Sequence, residues 1–206
     1  MSDAPTPRAF FMELLPAQFE AALHEQERAA HAAARVLEGM RAVHATIRID
    51  VRGADGGAFF VNLSAGRATP GEAALHPPFL TLVLERASFD AFVAEVGGSA
   101  LGFLGALSGL AQEMKLTKAR LDLLAGVQGT VRFEVSGAGG FALLVHFGPG
   151  EPAAEPTTSI SVERRAYAEL RSGELNPQDA VLGGRIQVEG DLQLAMQLAL
   201  AAVSPD

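Results

Sequence analysis

The chain contains no cysteine and little positive charge. Without cysteine there is no disulfide scaffold, no thiol catalysis and no thiolate metal ligand, and this composition fits a reducing compartment. The 16 Lys and Arg residues are outnumbered by 24 Asp and Glu residues, which gives a net charge of −8. Nucleic acid is therefore not an expected partner, because binding a phosphate backbone needs a basic surface. The same argument limits membrane contact to a transient, apolar kind.

Charged residues of either sign are scarce, at 19% of the chain, whereas hydrophobic residues reach 49%. This balance predicts a folded chain with a substantial core, built as one domain or as two small ones. The first residues lack the basic start and apolar core of a secretion signal, and the last three, Ser204–Pro205–Asp206, differ from the Ser-Lys-Leu type of peroxisomal address. The cytoplasm is the expected location.

Catalytic motifs are also missing from the sequence. There is no Gly-x-Ser-x-Gly elbow, no phosphate-binding loop and no dinucleotide fingerprint. His24 and His31 lie two helical turns apart and could supply half a metal site, but histidines in such a setting are usually solvated. The other three histidines have no regularly spaced partner. We therefore expect no catalytic residue, no metal ligand and no cofactor, and we expect that the protein is not an enzyme.

Hydrophobic periodicity predicts alternating helices and strands in the first half of the chain. A lead with three prolines, residues 1–16, is expected to be irregular. Glycines at 53, 56 and 57 predict a hairpin turn between the first two strands. The predicted elements are a helix over 17–40, strands over 46–52, 58–63 and 79–84, and a short helix ending near Val96.

The second half repeats this pattern. With an offset of 84 residues, 47–63 align without a gap on 131–147, and seven of the seventeen positions are identical. After a shorter loop, Glu85-Arg86 align with Glu163-Arg164. The repeat predicts a duplication, with a truncated lobe over 17–97 and a complete lobe over 98–203, packed as one unit. The truncated copy lacks a closing strand, so its open sheet edge is expected to meet the other lobe.

The last part of the chain is a turn, a strand and an apolar helix. Residues 185–189 alternate between polar and apolar, which predicts a strand with Ile186 and Val188 facing a core. Gly190 permits a sharp turn, and Asp191 can cap the helix that follows. That helix, 192–203, is apolar over most of its circumference, so it requires a buried site, a partner or a lipid.

These residues also carry a resemblance. Asn176-Pro177-Gln178, followed by Gly-Gly-Arg-Ile-Gln-Val-Glu-Gly-Asp at 183–191 and an apolar helix, resembles the end of the sterol carrier protein type 2 family. The resemblance implies an α+β fold, with a mixed or antiparallel sheet covered by helices and here pseudo-duplicated. It also implies binding or transfer of lipids in an apolar tunnel. The family places an additional strand where residues 148–156 carry three prolines, and prolines disfavour a paired strand.

Two segments leave alternatives open. The uncharged stretch 96–112 is read as a core helix between the lobes, as a lid that contacts ligand or membrane, or as a membrane span, for which it is short. The C-terminal helix is either a structural lid on the sheet or a cavity wall. Gln178 could meet a polar head group or only stabilise its turn. The expected ligand contacts are Phe103, Leu107, Leu110, Met114, Gln178, Val181, Leu182, Ile186, Val188, Leu192, Met196 and Leu200.

The sequence thus favours a non-enzymatic protein that binds or transfers a fatty acyl, isoprenoid or sterol-like lipid. Affinity would come from apolar burial, about 0.8 kcal/mol per CH₂ group. The alternative is a scaffold or accessory subunit without a cavity, which docks on a protein partner or on a second copy through its apolar helices.

Overall fold

The computed structural model of the protein describes residues 6–96 and 115–203. The chain divides into two compact units, Met1–Glu38 and Gly39–Asp206. The second unit therefore extends across the boundary that the sequence suggested between two lobes, near residue 97. The expected ligand contacts Phe103, Leu107, Leu110 and Met114, and most of the uncharged stretch, lie outside the described residues.

The first unit is helical from Pro7 onward, so the expectation of an irregular lead was wrong for residues 7–16. Thr6 caps the first turn by accepting a hydrogen bond from the backbone N–H of Ala9 (3.2 Å), and Pro7 occupies the first helical position, where its missing N–H costs nothing. A π-helical turn lies just before Pro16, the position at which a proline ring would clash with an α-helical carbonyl. The segments are α1 (Pro7–Ala9), the π-helix (Phe10–Leu14) and α2 (Leu15–Arg41), which continues into the second unit.

The second unit is built around one mixed sheet of eight strands in the order β3-β2-β1-β4-β6-β5-β7-β8. Five helices follow or separate the strands in the described part of this unit. The elements are β1 (His44–Arg52), β2 (Gly57–Ser64), β3 (Arg67–Gly71), β4 (Pro78–Glu85), α3 (Arg86–Val96), α4 (Lys118–Ala125), β5 (Gly129–Ser136), β6 (Phe141–Phe147), β7 (Thr158–Glu163), α5 (Arg164–Ser172), α6 (Pro177–Leu182), β8 (Ile186–Gly190) and α7 (Leu192–Val203).

Each half of the sheet contains a hairpin and a parallel third strand. β1 pairs with β2 and β5 with β6 in antiparallel fashion, whereas β1 pairs with β4 and β5 with β7 in parallel. The halves join through antiparallel pairing of β4 with β6, in which Leu82 lies opposite Val145. The α+β class that the sequence predicted is therefore confirmed. The strand β3 was not predicted, and residues 148–157 connect β6 to β7 without a strand.

The apolar core lies on one face of this sheet. Alternate residues of the strands, such as Leu82, Val145 and Val135, pack there against Phe92 of α3 and Tyr167 of α5. Two smaller clusters on the same face hold α4 and α7: Leu121 packs with Val43 and Ala45, and Leu194 packs with Val127 and Val131. The alternation of apolar residues along each strand produces this one-sided core.

The opposite face of the sheet carries Val83 and Leu144 at its centre and several hydrogen-bonded polar residues, which loops partly cover. In the first half, the Thr46 hydroxyl donates to Asn62 Oδ1 (2.7 Å), and Asn62 also binds the backbone of Ala73 and Leu75. In the second half, Thr130 Oγ1 lies 2.9 Å from His146 Nδ1. His146 thus faces away from the side that Val145 and Phe147 bury, as its alternation predicted.

Candidate functional site

Helix α6 begins at the Asn-Pro-Gln turn. The Asn176 side chain accepts a hydrogen bond from the backbone N–H of Gln178 (2.8 Å), so Asn176 is the cap of the helix. The Gln178 side chain is exposed, and only its backbone N–H takes part in this turn. The opposite side of α6 is anchored by Ala180, which is fully buried in the main core.

Helix α6 ends with two exposed apolar side chains. Val181 is 50% exposed and Leu182 is 86% exposed. Gly183 and Gly184 then end the helix and lead into β8. Full exposure of a leucine loses the free energy that its burial would supply, about 1.5–3 kcal/mol. The end of α6 therefore offers an apolar surface to a ligand or a partner.

Strand β8 supplies the wall next to α6. It pairs antiparallel with β7, and Ile186 and Val188 lie opposite Val162 and Ile160. Both β8 side chains are partly buried, and Ile186 packs against the main core. They face the same side of the sheet as the helices.

Helix α7 exposes apolar side chains in the part of it whose side chains are described, residues 192–198. Asp191 caps it by accepting from the backbone N–H groups of Gln193 (2.9 Å) and Leu194 (3.1 Å). Leu194 is buried and Leu198 packs beside it, whereas Leu192 is 60% exposed and Met196 is 66% exposed. Leu200 lies beyond the side chains that are described for this helix. The helix thus covers the sheet with one side and presents leucine and methionine on the other.

A second apolar concavity lies in the first half of the sheet, where the sequence indicated no site. It is a cleft of about 330 Å³, open to solvent, between the first hairpin and α3. Phe59 forms one wall and is 50% exposed. The lining side chains are Ile49, Val51, Phe59, Leu84 and Phe89, with Asp55 and Arg86 at the rim. A glycine at 57 opposite bulky core residues is the one sequence signal that could have indicated it.

The rim of this cleft carries one arginine between carboxylates. Arg86 Nε donates to Asp90 Oδ1 (2.9 Å), and its Nη1 lies 3.9 Å from Asp55 Oδ2. The guanidinium also lies over the Phe89 ring, 5.8 Å from the ring centre. Arg86 is therefore held at the mouth of the cleft by charge and by the aromatic face.

The two histidines of α2 lie in a shallow groove on that helix. His24 Nδ1 is 3.1 Å from Glu27 Oε2, and both side chains are exposed. Among residues 6–96 and 115–203, no three side chains of His, Cys, Asp or Glu come together to hold a metal ion. Within the same residues, no helix is long and apolar enough to cross a membrane.

The fold and the apolar surfaces define a class: an α+β domain in which helices cover one face of a mixed sheet and leave apolar side chains accessible. Residues 110–202 match the model of the SCP-2 sterol transfer family, which is the family that the C-terminal motif resembles. No curated protein matches the chain.

Several solved structures resemble parts of the chain. The sterol carrier protein domain 2 of Helicoverpa armigera is 27% identical, over 41% of this chain and 77% of that one, with a TM-score of 0.29. The sterol carrier protein 2 like 2 of Aedes aegypti is 20% identical, over 58% of this chain and 98% of that one, with a TM-score of 0.33. The UbiJ-SCP2 ubiquinone synthesis protein is 22% identical, over 48% and 89%, with a TM-score of 0.31.

Proposed function

We propose that the protein binds an apolar ligand, a fatty acyl, isoprenoid or sterol-like lipid, and carries it without catalysing a reaction. The match of residues 110–202 to the SCP-2 sterol transfer family carries this proposal. We assign the ligand site to the apolar surface that α6, β8 and α7 form in the second half, and the protein works in the cytoplasm. The described residues that we assign to the site are Val181, Leu182, Ile186, Val188, Leu192 and Met196, with Gln178 at its polar end.

The chemistry of these side chains supports a lipid rather than a polar metabolite. Val181, Leu182, Leu192 and Met196 are exposed and carry no hydrogen-bonding group that could select a polar substrate. Each methylene of a chain that these residues remove from water contributes about 0.8 kcal/mol. Methionine adapts its shape to different apolar surfaces, so Met196 suits a site that accepts varied chains.

The experiment is native mass spectrometry of the full chain, combined with organic extraction and lipid analysis of the same preparation. We expect one lipid per chain, either bound on purification or taken up from a panel of acyl, isoprenoid and sterol probes. Met196→Asp should weaken uptake by at least tenfold. Gln193→Asp, at an exposed position of the same helix, should leave it unchanged. A folded protein that arrives empty and takes up no probe would refute the proposal.

A further inference from the structure

The two hairpins of the sheet have the same register, so each position in the first half has a counterpart in the second. Ile47 lies opposite Val61 in the first hairpin, and Val131 lies opposite Val145 in the second, at an offset of 84 residues. The third strands of the two halves, β4 and β7, also correspond, at an offset of 78 residues. Val51 lies beside Leu84 in the first half, and Val135 lies beside Val162 in the second. The space above the two hairpins can therefore be compared residue by residue.

In the second half, aromatic rings fill this space. Phe141 lies 5.8 Å from Tyr167 and 6.3 Å from Phe133, measured between ring centres. Phe92 of α3 packs edge-on against Phe141 at 5.0 Å. Tyr167 and Phe141 are buried, which leaves no room for a ligand at this point.

In the first half, the counterparts of these rings are smaller or absent. Gly57 stands at the position of Phe141, Ile49 at that of Phe133, and Phe89 at that of Tyr167. The Phe59 ring comes within 3.7 Å of the place that a Cβ atom on Gly57 would occupy, so this ring has turned toward the vacant side. The cleft of about 330 Å³ lies at this position, and Ile49, Phe59 and Phe89 are among its lining residues.

We propose that this cleft binds the hydrocarbon chain of an uncharged, single-chain amphiphile, such as a fatty or prenyl alcohol. This inference rests on the proposed function and places a second ligand site outside the region that matches the family. The volume falls at the lower end of the range for ligand sites, about 300–1,000 Å³. At about 30 Å³ per methylene, similar to a water molecule, it holds roughly ten chain carbons.

The charges at the rim select against an anionic head group. The guanidinium of Arg86 at the rim is paired with the carboxylates of Asp55 and Asp90, so it is not available to an anionic head group. A carboxylate or phosphate brought to this mouth gains no unpaired cation and meets repulsion from the two aspartates. A hydroxyl head avoids that repulsion and can donate to a carboxylate. Fatty acids and phospholipids are therefore disfavoured here.

The test is photolabelling of the full chain with a diazirine-bearing decanol, followed by mapping of the labelled peptides by mass spectrometry. We expect saturable labelling of residues 44–64 and 78–96, which excess decanol abolishes and decanoate competes at least tenfold less well. Ile49→Trp fills the cleft and should reduce this labelling at least tenfold. Val93→Trp, on an exposed site of α3 outside the cleft, should not change it.

A second variant covers the case in which Ile49→Trp does not fold. Phe59→Ser removes a half-exposed wall and should weaken saturable labelling of the same peptides several-fold. Labelling confined to residues 177–203 would overturn this inference and leave the proposed function standing. Equal competition by decanoate and decanol would overturn the charge selection. If no peptide is labelled in a saturable way and no lipid binds in mass spectrometry, both proposals fall.

Discussion

The two hairpins of the sheet share one pairing register and differ in the side chains that fill the space above them. Both hairpins turn through a glycine with positive φ, Gly53 at 99° and Gly137 at 106°. Both also need glycine three residues later, because a Cβ atom on Gly56 or Gly140 would come within 2.2 or 2.1 Å of a strand carbonyl oxygen. The turns and the alternation of apolar residues set the same register twice. The side chains above that register then make one half a packed core and the other half an open cleft.

The largest difference in stability between the two halves should appear when an aromatic residue is removed from each. Tyr167→Ala deletes a side chain that is 1% exposed and should reduce the free energy of unfolding by about 3–5 kcal/mol. Its counterpart Phe89 is only partly buried, so Phe89→Ala should cost about 1–2 kcal/mol. Urea unfolding of both variants checks this. Equal losses would show that the cleft is closed in solution and that the contrast between the halves is false.

The hydroxyl of Tyr167 makes the stability of the second half depend on pH in the alkaline range. Its counterpart in the first half, Phe89, has no group that titrates. Burial raises the pKa of Tyr167 to about 12 from the ordinary value near 10. Between these values the unfolded chain loses the proton while the folded chain keeps it, so stability falls as the pH rises. The decrease is about 1.4 kcal/mol per pH unit over this window. Unfolding measured from pH 9 to pH 12 should show it, and Tyr167→Phe should show a shallower decline; identical slopes would contradict the assignment.

Corresponding polar residues on the opposite face of the sheet should differ less in the stability that is lost when each is replaced. Asn62 ties β2 to β1 and to the following loop through three hydrogen bonds, so Asn62→Ala should cost about 2–3 kcal/mol. Its counterpart His146 contacts Thr130, and His146→Ala should cost about 1 kcal/mol. Hydrogen exchange at the Leu75 amide, which donates to Asn62, should accelerate in the first variant alone. An unchanged Leu75 amide would contradict the role of Asn62.

The smallest effect concerns a charge pair that each half carries on the polar face. Arg48 binds Asp50 at 2.9 Å and Glu151 at 2.7 Å, whereas Arg132 binds Glu134 at 2.9 Å. Glu151→Gln should lower stability by up to about 1 kcal/mol in low salt, and Glu134→Gln by less, because the guanidinium of Arg132 is more exposed to water than that of Arg48. Both effects should vanish in about 1 M salt. Effects that persist in high salt would show that hydrogen bonding, not charge, holds these residues.

Much of this fold could be predicted from the sequence, because alternation and turn glycines act locally. The strands β1, β2, β4 and β8 and the Asp191 cap follow from such patterns. β3 could not be predicted in this way: Arg67–Gly71 has no apolar alternation, contains Pro70, and is a strand only because it pairs with β2 at the sheet edge. The prolines near the N-terminus were misread for the opposite reason, since Pro7 begins a helix instead of preventing one.

The candidate site was harder to predict than the fold. An apolar helix such as α7 does not reveal which side is buried, and the choice of Leu194 over Met196 depends on Val127 and Val131, more than sixty residues away. The cleft beside Phe59 was missed because it lies next to the missing side chain of Gly57, and Gly57 alone indicates only a turn. Empty space is a property of the packed neighbours, not of any one residue.

The two halves of the sheet join where β4 pairs with β6, and the same kind of pairing could add further strands at the two edges of the sheet. β7 corresponds to β4, and β8 pairs with β7 on the side where β6 pairs with β4. β8 therefore occupies the place that a further hairpin would take, and β3 occupies the matching place beside β2. These two strands act as end caps of a structure that could otherwise propagate, as terminal repeats do in solenoids. Removal of β3 or β8 would expose the longer edge strand beside it, β2 or β7, and an unpaired edge strand is a template for pairing with another chain.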